Sequence, residues 1–178
     1  MDSKKTNIRI RKTNYSSNDL EGIYECHLKC FEKGDVWYKS IIKQSLNNSW
    51  IIEKSDKPCT IIGVLLQGIA IPSEEIDDTN FKQITPSGDI IIKNKLHLEE
   101  LPTILMLCID PEFRNKGLAK KLIEIHFNEY KNELIYLITR KSNPAYNLYL
   151  KMGYEHVANI KDKYFFPTED GYFLIKNN

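Results

Sequence analysis

The sequence is short of everything that marks a secreted, membrane-spanning or polyanion-binding chain. Only four cysteines, Cys26, Cys30, Cys59 and Cys108, occur among its 178 residues. No CxxC spacing joins them and no apolar leader precedes them, so they read as reduced thiols of an intracellular, cytoplasmic protein. Cys26 and Cys30 lie four apart on a predicted helix, yet no further Cys/His set completes four ligands; buried packing is favoured and no metal is predicted. A run of about 20 apolar residues is missing, which predicts no membrane span. Neither sign of charge is in excess. The 25 Lys and Arg stand against 24 Asp and Glu, a formal net charge of +1, and this balance disfavours a nucleic-acid partner. There is no Walker A loop, which needs two glycines followed by Lys-Ser or Lys-Thr, and no three-glycine dinucleotide fingerprint.

What is present centres on Leu101 to Tyr130. Ile104 to Ile109 reads as a buried strand, Asp110-Pro111 as a turn, and Arg114-Asn115-Lys116-Gly117-Leu118-Ala119 as the opening of an amphipathic helix. A helix start leaves backbone N–H groups without intrahelical partners, and the helix dipole adds partial positive charge there. Such an end suits a phosphate or diphosphate. A β-carbon at Gly117 would hold that anion away from the amides, while Arg114, Lys116 and Lys120 add charge around it. The bland alternative is an ordinary strand, turn and helix with surface bases.

Arg114-x-x-Gly117-x-Ala119 after a strand ending Asp110-Pro111 resembles motif A of the GNAT superfamily of acyl-CoA-dependent N-acetyltransferases. The run Asn143-Pro144-Ala145-Tyr146-Asn147-Leu148-Tyr149-Leu150-Lys151-Met152-Gly153-Tyr154 resembles that superfamily's second signature. The resemblance covers about Ile8 to Lys176 and implies an α/β fold: a mixed sheet of about six to seven strands flanked by about four helices. It further implies acetyl-CoA as cofactor, held by Leu107, Cys108, Ile109, Arg114, Asn115, Lys116, Gly117, Leu118, Ala119, Lys120 and Asn143. Ser142 is a second candidate for the place of Asn143. Tyr149 matches the family tyrosine that faces the thioester sulfur; a phenol, with a pKa of about 10, still carries at neutral pH a proton that it can give to a thiolate. Its other reading is a core aromatic at helical spacing.

In chain order, residues 1–7 are polar and expected to be flexible, and 8–178 form a single domain by size. Ile8 to Arg11 alternates as a strand, and Ser16 to Asp19 offers N-caps for a helix on which Leu20, Ile23, Tyr24, His27, Leu28 and Phe31 share a face. His27 on that face reads as a packed, hydrogen-bonded histidine. Val36-Trp37-Tyr38 begins a second short helix. Trp50 to Glu53 and Cys59 to Ile71 read as strands, with Gly63 and Gly68 as possible bulges. A loop of about 72–100 carries Glu74, Glu75, Asp77 and Asp78, acids that could attract a cationic amine or stay solvated. Leu134 to Thr139 is a strand, Ser142-Asn143-Pro144 starts a helix with Pro144 in its first turn, and Tyr154 to Ile160 pairs with Gly171 to Lys176.

The tail from Lys161 to Tyr172 resembles the last hairpin of ribosomal-protein and eukaryotic N-terminal acetyltransferases, which clamps a peptide's first residues. This implies Tyr164 and Phe165, with Trp37 and Tyr38, as substrate contacts. The implied acceptor is the α-amine of a protein or peptide N-terminus. A small amine or polyamine is the alternative, and a CoA-binding module without catalysis a third. No general base is evident. Relatives often place one where Ile138 and Thr103 stand, which leaves Glu99 or Glu100 acting through water, or no dedicated base for an α-amine of pKa about 7.7–8.0.

Overall fold

The computed structural model describes residues 7–31, 37–55, 60–69, 101–165 and 168–177, with Ile69 and residues 162–165 described as backbone only. The expectations for residues 1–6, Val36, Cys59, the 72–100 loop with its acids, and Glu99 and Glu100 lie outside the described residues.

Among the described residues hydrogen-bonded strands run in the order β1-β2-β3-β4-β5-β7-β6. These are β1 (Ile8–Lys12), β2 (Trp50–Lys54), β3 (Ile61–Ile69), β4 (Pro102–Ile109), β5 (Leu134–Arg140), β6 (Glu155–Phe165) and β7 (Thr168–Asn177). The helices are α1 (Ser17–Cys30), α2 (Lys39–Gln44), α3 (Leu118–Glu129) and α4 (Tyr146–Lys151). Among the described residues, the seven-stranded mixed sheet with four helices is the α/β architecture expected from the sequence. Contacts divide the chain into two compact units, residues 1–68 with 104–126, and 69–103 with 127–178.

In the first unit Ser16 caps α1 by accepting a hydrogen bond from the Asp19 amide at 3.1 Å, and Ile23, Cys26 and His27 form its buried face. Strands β1 and β2 are antiparallel, with Ile10 opposite Ile52. The β2–β3 register shifts between Ile52 and Glu53, opposite Gly63, which is the bulge expected there. Gly63 also accommodates side chains, since a β-carbon on it would lie 2.8 Å from Ile109 Cδ1. Ile23, Ile42, Leu46, Ile51, Val64, Leu66 and Met106 pack into one core. Leu118, Leu122, Ile123 and His126 form the buried stripe of α3, where His126 Nδ1 lies 2.8 Å from Gln67 Oε1.

In the second unit Thr103, at the start of β4, is in parallel register with Tyr136. Strand β7 pairs antiparallel with both β5 and β6. Tyr136, Val157, Ala158, Phe173 and Ile175 form its core. The closing strands are longer than the sequence pattern implied. The fourth helix is shorter, beginning at Tyr146 rather than near Pro144. Ahead of it, the Asn143 side-chain oxygen accepts from the Ala145 amide at 2.9 Å and its amide donates to Thr139 Oγ1 at 2.8 Å, closing a turn. At its other end α4 stops at Gly153, whose φ of +87° is left-handed. The Tyr154 amide bonds to Tyr149 O and the Gly153 amide to Leu150 O, so the Gly-Tyr pair of the second signature is a helix terminator.

Candidate functional site

Strand β4 delivers the chain into a tightly held turn. Asp110, 3% exposed, accepts from the Glu112 amide at 3.1 Å and from Lys29 Nζ at 2.8 Å, while its own amide bonds to Ile62 O. Burial alone would raise its pKa; the Lys29 ammonium and the Glu112 amide outweigh this and hold it below the usual carboxylate range. A 3₁₀ turn over Pro111–Phe113 follows. The chain then passes through two left-handed residues, Asn115 at φ 60° and Gly117 at φ 74°.

The first helical bond of α3 runs from the Lys121 amide to Gly117 O. The amides of Leu118, Ala119 and Lys120 therefore precede the intrahelical ladder and project from the positive end of the helix dipole. Among the described residues nothing lies within 4 Å of the position a Gly117 β-carbon would take. Open space over a glycine, backed by helix-start amides, fits the diphosphate of acetyl-CoA. The three bases make these contacts within the protein. Arg114 Nε donates to Ile109 O at 3.1 Å, and Lys116 Nζ donates to Glu112 O at 3.1 Å while lying 4.7 Å over the Phe113 ring. Exposed Lys120 is 3.7 Å from Glu124. Within β4, Cys108 and Ile109 are buried and Leu107 is half-buried.

Trp37 packs partly buried against the core of the first unit, and its amide donates to His27 Nε2 at 2.8 Å. His27 is thus the packed, hydrogen-bonded histidine its position on α1 implied. Tyr38, at the N-cap of α2, is 77% exposed.

The second unit holds Tyr149 on α4, buried and edge-on to Tyr154 with ring centroids 5.7 Å apart. Burial, and then the neighbouring Tyr149, push the Tyr154 phenol well above its ordinary pKa. Asn143, expected at the cofactor, has its carboxamide engaged with Ala145 and Thr139, and Ser142 Oγ donates to Glu169 at 2.8 Å. Half-buried Ile138 stands opposite Phe173. Buried Thr103 hydrogen bonds with the Tyr136 hydroxyl, whose pKa burial pushes up to about 12. Neither position offers a base. Tyr164 and Phe165 end β6, opposite Glu169 and Thr168.

Sequence reasoning missed one cluster. Cys108 of β4 comes beside Cys26 and Cys30 of α1, the three sulfurs lying within 4.8 Å of one another. The four-residue spacing on α1 was visible, but the partner from β4 carried no local signal.

Comparison with known proteins adds the following. Residues 77–156 match the family model described as an acetyltransferase (GNAT) domain. An N-alpha-acetyltransferase of Saccharolobus solfataricus is 32% identical over 114 residues, a match covering 61% of this chain and 61% of that relative's length. The structure of NAA60 from Arabidopsis thaliana, in complex with acetyl-CoA, superposes with a TM-score of 0.70 at 22% identity, covering 97% of this chain and 100% of the other. The ribosomal-protein-S18-alanine N-acetyltransferase from Escherichia coli gives 0.66 at 14% identity, covering 96% and 93%. Among the described residues no helix is long and apolar enough to cross a membrane.

Proposed function

We infer that this chain, which carries a GNAT acetyltransferase domain on a GNAT fold, is an acetyl-CoA-dependent N-acetyltransferase whose acceptor is the α-amine of a protein or peptide N-terminus. The observation that carries the reading is the Gly117 start of α3, with its projecting amides and open space. Bound acetyl-CoA supplies an acetyl thioester. The amides of Leu118, Ala119 and Lys120 hold its diphosphate, and the backbone of Leu107, Cys108 and Ile109 holds the pantetheine arm. Tyr149 Oη would give its proton to the thiolate sulfur as the C–S bond breaks, and would regain one from solvent, to which the proton lost by the acetylated amine passes. No side chain is assigned as base, because an α-amine of pKa about 7.7–8.0 is partly neutral near pH 7.

The acceptor is supported by the name of the archaeal relative, an N-alpha-acetyltransferase, and by the aromatic Trp37-Tyr38 and Tyr164-Phe165 stretches of the sequence. Aromatic side chains suit a peptide's first side chain better than they suit a polycation. Thiol release from acetyl-CoA over peptides with free or blocked N-termini, together with a polyamine panel, tests this. Turnover is expected with free α-amines and absent when the N-terminus is blocked but an internal lysine remains. A preference for spermidine would assign the enzyme to small amines, and no turnover with any amine would leave only a CoA-binding module.

A further inference from the structure

Two sulfurs one helical turn apart on α1, Cys26 and Cys30, converge with a third from β4, Cys108, all within 4.8 Å of one another. They are free thiols. Cys26 and Cys108 are buried, and Cys30 is half-buried, which leaves an approach from solvent. We propose that Cys26, Cys30 and Cys108 form a binding site for a soft d¹⁰ cation, Cu(I) or Zn(II), held by three thiolates.

The geometry fits. Three sulfurs each about 2.3 Å from one centre are about 4 Å apart in a plane, so each needs to move inward by about half an ångström. Soft thiolate sets select Cu(I) and Zn(II) over hard cations. Among the described residues no fourth His, Cys or carboxylate joins the cluster, so Cu(I) would be three-coordinate and Zn(II) would take a water. Metal entry displaces the thiol protons to solvent as the three metal–sulfur bonds form.

The site is tested by binding alone. Fully reduced, full-length protein is titrated anaerobically against a chromophoric chelator loaded with Cu(I), and separately against one loaded with Zn(II). The wild type should remove one equivalent of at least one cation, and the one it takes identifies the coordination. Cys30→Ser and Cys26→Ala, each confirmed folded by near-ultraviolet circular dichroism, should weaken that binding at least about tenfold, the lower end of what losing even a supporting contact costs a metal site. Cys59→Ser should bind as wild type does. Uptake of neither cation at one equivalent overturns the proposal. So does binding that survives Cys30→Ser and Cys26→Ala, or binding that Cys59→Ser removes.

Discussion

Tyr149 is the residue on which the proposed chemistry turns. Its hydroxyl is assigned to the moment the thiolate departs and not to binding, so Tyr149→Phe should lower kcat about 10²–10⁴-fold while leaving KM for acetyl-CoA unchanged. The phenyl ring keeps the edge contact to Tyr154, so the fold should survive. Steady-state kinetics under conditions where chemistry limits the rate decide this, and an unaltered kcat would take Tyr149 out of the mechanism. Single residues differ in how plainly the sequence announced them. Gly117 and Gly153 were legible because each is the small residue that a left-handed φ favours. The direction of Arg114 was not: a guanidinium near a helix start can reach a ligand or a carbonyl, and only packing selects Ile109 O.

Between elements, the first unit is tied by a fork of charge. Arg11 of β1 donates to both oxygens of Asp19 on α1, at 2.9 and 2.7 Å, and to Glu53 of β2 at 3.0 Å, while Asp19 also accepts from the Asn14 amide. Burial alone would raise the Asp19 pKa, but Arg11 and the Asn14 amide outweigh it, so it lies below that of an ordinary aspartate. The stabilisation is then fully present above the unfolded pKa of about 3.9 and is lost as pH falls through the folded value. Asp19→Asn should cost about 3 kcal/mol at pH 7, as expected for breaking a buried pair. Urea denaturation along an acid series should show the gap between variant and wild type closing below about pH 4. A gap unchanged into strong acid would show that the Asp19 charge is not what joins these elements. The elements themselves were largely legible from periodicity and capping residues. The start of α4 was misplaced because Pro144 is equally at home in a turn, and the Asn143 side chain holds that turn by reaching Ala145 and Thr139.

At the scale of the whole molecule, a ligand that binds only the folded chain stabilises it by mass action. Acetyl-CoA at 100 times its Kd should contribute about 2.7 kcal/mol. At about 2–4 °C per kcal/mol for a chain of this size, Tm should rise by about 5–10 °C. Gly117→Glu should lose that rise, since it places a β-carbon and a negative charge where the diphosphate would meet the α3 amides. Differential scanning calorimetry with and without acetyl-CoA tests this, and an equal rise in the variant would move the anion site elsewhere. The sequence by itself determined the alternation of strands and helices, the glycine at the start of α3, the Gly-Tyr stop of α4 and the balance of charge. These are legible because spacing fixes which face of an element is apolar, and because a left-handed φ or a helix end is settled by residues close in the chain. Tertiary structure alone decided that Cys108 joins Cys26 and Cys30, that Lys29 holds Asp110 across 81 positions, and that Arg114 and Lys116 turn toward backbone carbonyls. Each of these groups had several chemically equivalent partners, and the packing of distant segments selected among them.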